Sequence, residues 1–135
     1  MKKKILIALR YPLTKRGRKT LHKATEMIEG DNVNVTFYHV NMIYNNKKIS
    51  RRSFKEDIFK NEEQLKDRKG LRFSVDESYL LDESILKKIS ENNINTIIIG
   101  KTMESRWKKF LKFWGDYNLS EEIKKAAECE VIVVE

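Results

Sequence analysis

Cysteine is all but missing from this 135-residue chain: Cys129 stands alone. No intrachain disulfide can form, and a reducing, cytoplasmic setting is the simplest one. The apolar neighbourhood of Cys129 marks an inert core thiol. Long hydrophobic runs are missing too, since none approaches the roughly 20 apolar residues of a membrane span. Met1-Lys2-Lys3-Lys4 gives a positive start, but the apolar run that follows, Ile5 to Leu9, is too short for a signal peptide. Glycine is scarce, with five in the chain. Gly100-Lys101-Thr102 looks like the end of a phosphate-binding P-loop, yet Asn95 occupies the position where that motif needs a further glycine, and the residues between read as strand. Repeats, low-complexity tracts and linkers are absent.

Acidic residues are missing from one stretch. From Lys2 to Lys23 there are nine basic residues and no acidic one, whereas Asp76 to Glu91 is net acidic. The formal charge of +8 therefore concentrates at one end and favours anionic partners. Catalytic and metal signatures are missing as well. His22 and His39 have no cysteine or carboxylate cluster at ligand spacing around them, so no metal site is read, and no nucleophile with an adjacent base is identifiable. Glu62-Glu63 reads as a solvated helix face rather than an acid–base pair.

What is present alternates between strand and helix. Ile5 to Leu9 is a continuous apolar run, as expected of a strand buried on both faces of a parallel sheet. After Tyr11-Pro12, Thr14 can cap a helix carrying Leu21, Ala24, Thr25 and Ile28 at helical spacing, closed by Gly30. Val33 to Val40 is a second strand, and Asn45 to Lys48 a polar connection. Ser53 to Lys66 reads as an exposed helix ended by Gly70. Leu71, Phe73 and Val75 alternate as a half-buried strand with a neighbour on one side only. Ser78 or Asp82 can cap a third helix with an inward stripe of Leu81, Ile85, Leu86 and Ile89. Ile94 to Ile99 is a further buried strand. A last helix, from about Leu119 to Glu128 with Asn118 as its cap, precedes the final strand Val131 to Val134. The pattern specifies one α/β domain over residues 1–135, with right-handed crossovers.

Between Gly100 and that last helix lies a basic, aromatic-studded stretch, Lys101 to Trp114, expected to be the strand-to-helix loop where such folds bind ligands. Met103, Trp107, Phe110, Leu111 and Trp114 fall at spacings of four, three, one and three, which also fits an amphipathic helical turn. Three roles stay open for it: a lid packed on the sheet edge, a helix for a membrane surface or partner, or aromatic platforms for single-stranded nucleic acid.

Lys3 to Leu9, the strand end Phe37-Tyr38-His39-Val40, Asn95 to Gly100, and Ser120-Glu121-Glu122-Ile123 leading into Cys129 to Val134 resemble the universal stress protein (UspA-like) family in order and spacing. The resemblance implies a five-stranded parallel sheet in the order 3-2-1-4-5 with helices on both faces, Rossmann-like (adenine nucleotide alpha-hydrolase-like), and a homodimer. Some members bind ATP. Those carry a glycine motif after the fourth strand, matched here at Gly100; Met103 replaces its second glycine. Gly115 is recovered only with two extra residues, and Asp116 then stands where Ser or Thr is required. A methionine blocks the close backbone approach glycine permits, and a carboxylate repels phosphate. The family's acidic residue after the first strand is Arg10 here, while Val40, where the family offers backbone atoms to adenine, is compatible.

Placing the first and fourth strands side by side, as the resemblance implies, brings two basic loops to one crevice: Arg10, Lys15, Arg16 and Arg18 from one, Lys101, Arg106, Lys108 and Lys109 from the other. The expectation is a non-catalytic stress-response domain acting through ligand or partner binding, with a degenerate nucleotide loop and no resident cofactor. Binding of ATP or another nucleotide, with slow hydrolysis, is the first alternative, and a nucleic-acid-binding module using the basic edge is the second. Val131 to Val134 is expected at a sheet edge, where pairing with a second copy covers an aggregation-prone strand.

Overall fold

The apolar segments Ile5 to Leu9, Ile94 to Ile99 and Val131 to Val134 become neighbouring strands. A computed structural model describes residues 3–11, 13–28, 33–117 and 121–134. Strands β1 (Lys3–Ala8), β2 (Val33–Met42), β3 (Leu71–Ser78), β4 (Thr96–Gly100) and β5 (Glu130–Val134) form one sheet. Their order is β3-β2-β1-β4-β5, every neighbouring pair parallel. Parallel strands require crossovers, and these are α1 (Lys15–Met27), α2 (Arg51–Asn61), α3 (Leu81–Asn92), and the consecutive pair α4 (Lys101–Tyr117) and α5 (Glu121–Glu128).

Alternation along each strand divides the core in two. Ile5, Ile7, Phe37 and Ile98 face α1 and α2, meeting Leu21, Ala24, Phe54 and Ile58. Leu6, Ala8, Tyr38, Val40, Ile97 and Ile99 face the other way, onto Ile85, Leu86 and Ile89 of α3, Met103 and Trp107 of α4, and Ala126 of α5. Coverage on both sides favours apolar residues in the central strands, and the few buried polar ones there are Thr36, His39 and Thr96. Strand β3 pairs only with β2 and alternates, as an edge strand should. Cys129 is buried, and burial pushes its thiol up to about 11, so it stays protonated.

Local signals met mixed outcomes. Thr14 caps α1 by accepting from the Gly17 N–H at 3.1 Å. The expected helix over Ser53 to Lys66 is broken into α2 and a 3-10 helix, Glu63–Asp67. Neither Ser78 nor Asp82 caps α3: the cap position is Leu80, without a side-chain bond, and Ser78 Oγ accepts instead from the Leu80 N–H at 3.1 Å. Gly70 has φ of +81°, and a Cβ there would meet the Val33 carbonyl at 2.9 Å, so glycine is required where the chain enters β3. Gly30 and Asn118, expected at helix ends, lie outside the described residues.

The loop expected over Lys101 to Trp114 is corrected most. Helix α4 starts at Lys101, directly after the last residue of β4. Met103 and Trp107 are buried against the sheet, with Phe110 and Leu111 partly buried beside them. The stretch is therefore packed, over the face of the sheet rather than its edge. Apolar burial at i, i+4, i+7 and i+8 outweighs any tendency of the lysines to hold it open in water.

A buried carboxylate joins the first two helices. Glu62, at the end of α2, is only 6% exposed, and it accepts from His22 of α1 at 2.8 Å. Glu26 lies on the other ring nitrogen at 3.0 Å. The hydrogen bond to Glu62, then its charge, raise the His22 pKa above its ordinary 6.5. A raised folded-state value means the pairing contributes fully below about pH 6.5 and is lost as pH climbs through that value. Urea midpoints are expected to fall between about pH 6 and pH 9 by more in the natural chain than in Glu62→Gln. Equal falls would show that the pair does not couple protonation to folding.

Candidate functional site

The β1–β2 ladder ends with the Leu9 N–H donating to the Tyr38 carbonyl at 2.9 Å. Beyond it, Arg10 and Tyr11 leave the sheet while β2 runs on to Met42. Val40 lies two residues past Tyr38, so its backbone faces the same edge, past the end of β1. A cavity of about 260 Å³ opens there, beside the β1–β4 switch point where the strand order reverses.

Its third wall is made by folding the chain back on itself after β2. The Asn41 amide clamps Ile49, Nδ2 donating to the Ile49 carbonyl at 2.8 Å and Oδ1 accepting from the Ile49 N–H at 3.1 Å. Within the returned segment, the Asn45 N–H donates to the Met42 carbonyl at 2.9 Å, and Asn45 Oδ1 accepts from the Lys47 N–H at 3.0 Å. These bonds bring Tyr44, Asn45 and Lys47 onto the cavity. Helix α4 supplies Arg106, whose Nε donates to Asp82 of α3 at 2.9 Å. That uses one of a guanidinium's five donors, so contact with a ligand anion is compatible with the pair.

The lining combines three cations (Arg10, Lys47 and Arg106) with three ring-bearing side chains, Tyr11, His39 and Tyr44. Leu9, Val40, Met42 and Leu81 give it an apolar floor. None of the described lining residues is a carboxylate. The arrangement can hold a flat ring against aromatic and apolar surface while an attached anion meets the cations. A second concavity, about 430 Å³, lies along β3 and α3 among Asp76, Glu77, Glu83, Lys87, Lys88 and Glu91. Its charges are mutually engaged: Lys88 is 3.3 Å from Asp76, which accepts from the Tyr38 hydroxyl at 2.7 Å. Burial and that partner push the Tyr38 phenol up, so it remains a donor. The groove is larger but away from the switch point, and we give it no role in binding.

Of the residues singled out in the sequence, Arg10, Val40 and Arg106 come together on the cavity. Lys15 begins α1 and Lys101 begins α4, both exposed. Lys108 pairs with Glu104 on its own helix at 3.5 Å, and Lys109 is exposed. Gly100 ends β4, where an added Cβ would meet Thr20 Oγ1 at 3.5 Å, an ordinary contact. Gly115 is within α4, and the side chains around it, 113–123, lie outside the described residues. The sequence reading missed Tyr11, Asn41, Tyr44, Asn45 and Lys47. Their signal was position: they follow the carboxyl ends of two adjacent parallel strands.

No family model matches the sequence, and no curated protein matches it either. Solved structures do match. Hypothetical protein MJ0577 superimposes with a TM-score of 0.64 at 18% identity, over 99% of this chain and 96% of that one. The universal stress protein of Archaeoglobus fulgidus in complex with dAMP gives 0.54 at 12%, over 98% of each chain. A universal stress protein in complex with cAMP gives 0.54 at 8%, over 96% of each. The fold is that of the universal stress proteins. At these identities the likeness is one of architecture, and it covers the whole universal-stress-protein fold, strand order included. Met103, which the resemblance sets at the second glycine position of a nucleotide motif, is a buried core residue. No helix among the described residues is long and apolar enough to cross a membrane.

Proposed function

We propose that the chain is a non-catalytic, stress-response type of domain that binds an adenine mononucleotide in the β1–β2 crevice. The observation that carries this is the union of Arg10, Lys47 and Arg106 with Tyr11 and Tyr44 around one cavity at the carboxyl ends of the strands. Nucleotides with a single phosphate, dAMP and cAMP, are the ligands of two proteins of this fold, which supports the ligand class. The base is expected against the Val40 backbone, and the phosphate against the cations rather than above β4.

The reading favours a monophosphate over ATP. With α4 beginning at Lys101, β4 runs directly into helix, and no glycine loop to wrap a triphosphate follows it among the described residues. The absence of a carboxylate among the described lining residues also leaves no evident anchor for the magnesium that phosphoryl transfer uses. Calorimetry is expected to show AMP binding at least as tightly as ATP with magnesium, with no phosphate released. ATP binding tenfold or more tighter than AMP, or steady hydrolysis, would replace this reading with the ATP-binding one. Single-stranded RNA binding tightly where AMP does not would point to the nucleic-acid reading, for which the +8 charge is the motive.

We further infer a pair of chains joined along β5, which hydrogen-bonds only β4 within the sheet and leaves Val131, Ile132 and Val133 half-covered. Light scattering is expected to read twice the chain mass, and a monomer at micromolar concentration would remove the pairing.

A further inference from the structure

His39 sits at the cavity with only 6% of its surface exposed, and both of its ring nitrogens face oxygen. Nδ1 lies 3.0 Å from the Leu9 carbonyl and Nε2 lies 3.1 Å from Asn41 Oδ1. A side-chain amide can ordinarily turn over to offer its NH₂ instead, but Asn41 cannot. Both of its ends are already committed to Ile49, Nδ2 to the carbonyl and Oδ1 to the N–H. A neutral imidazole carries one N–H and can satisfy one of these acceptors, leaving a lone pair opposed to the other. Only the imidazolium donates to both.

The surroundings set when that second proton is held. Arg10 from the end of β1, Lys47 from the segment after β2, and Arg106 from α4 line the same cavity. The groups packed on the ring are uncharged: Phe54 of α2, with centroids 5.8 Å away, Tyr11 at 6.2 Å, and Val75 of β3 in register beside it. Arg10 and Lys47 oppose the imidazolium, while the charge of Arg106 is already paired with Asp82 of α3 at 2.9 Å. An anion among the cations reverses the local field, so each of the two, proton and ligand, strengthens the hold on the other.

We propose that His39 is a proton-gated member of this site, taking up its second proton as an anionic ligand enters, so that ligand affinity falls as pH rises. This rests on the mononucleotide reading above. The probe is cAMP, whose phosphodiester keeps one charge across the range tested. Calorimetry at about pH 6 and pH 8, in buffers of different ionisation enthalpy, is expected to show proton uptake on binding. The affinity should weaken about 5-fold or more across that interval, the lower end of ordinary site-to-site coupling. In His39→Gln, which keeps one donor and cannot titrate, the affinity should be flat with pH. On the natural chain, ¹⁵N-histidine spectra at saturating cAMP should show both His39 ring nitrogens carrying protons, a readout that does not depend on the variant folding. His22→Gln assigns the signals, since the chain has two histidines.

Binding that is flat with pH in the natural chain, pH dependence that survives in His39→Gln, or a singly protonated ring in the saturated protein would each overturn the gating and leave the site intact. Absence of cAMP binding at both pH values, with no AMP binding either, would overturn the site and the gating together.

Discussion

Trp107→Ala is expected to cost about 3–5 kcal/mol of folding stability, as is usual when a large buried ring is removed and its space is not refilled. Trp107 is 1% exposed and sits in the core between the sheet, α3 and α4, stacked on Phe110 with ring centroids 5.6 Å apart. No other side chain on α4 carries as much buried apolar surface among those described. Its indole N–H finds no acceptor among the described residues, so part of the gain from burial is forfeited. Trp107→Phe removes that orphan donor along with some packing, and is expected to fall within about 1.5 kcal/mol of the natural chain. Urea unfolding separates the cases. An alanine variant losing under about 1 kcal/mol would mean that α4 is not held on the sheet by this residue. Because Arg106 is the adjacent residue, the alanine variant should also bind AMP more weakly.

Arg10→Glu is expected to weaken AMP binding by about 30-fold or more, because a charge-assisted contact worth about 1.5–3 kcal/mol is replaced by repulsion. Arg10 is an exposed residue just past β1, so the substitution should leave the urea midpoint nearly unchanged. Lys108→Glu serves as the control. Lys108 has the same charge and belongs to the same helix as Arg106, but it pairs with Glu104 and is not part of the cavity lining. Its effect should be a few-fold at most, through the general field, and should disappear in salt. Equal losses in the two variants would indicate that net charge, not the cavity, attracts the nucleotide.

The strands were legible because burial on both faces favours apolar residues: Ile5 to Leu9 and Ile97 to Ile99 announce themselves. Strand order came through resemblance, since nothing in a single strand states its neighbour. The α4 segment was misplaced for an instructive reason. Its spacing of four, three, one and three was helical, but nine basic and aromatic residues after a strand end resembled a ligand loop. The cavity was half legible. Arg10 and Arg106 stood out by charge, whereas Asn45 to Lys48 passed for a plain connection because the clamp that folds it back, Asn41 on Ile49, spans eight residues and has no local signature. His39 was weighed in the sequence only as a metal ligand, because its meaning here lies in two acceptors, one of them on another strand's end.

The most direct measurement is the amide spectrum of the ¹⁵N-labelled chain as AMP is added. Shifts should concentrate at Leu9 to Tyr11, Val40 to Lys47 and Arg106, and should leave Lys108, Lys109 and β5 in place. Shifts confined to Gly100 to Met103, or none at millimolar AMP, would contradict a nucleotide site in the crevice beside β1 and β2.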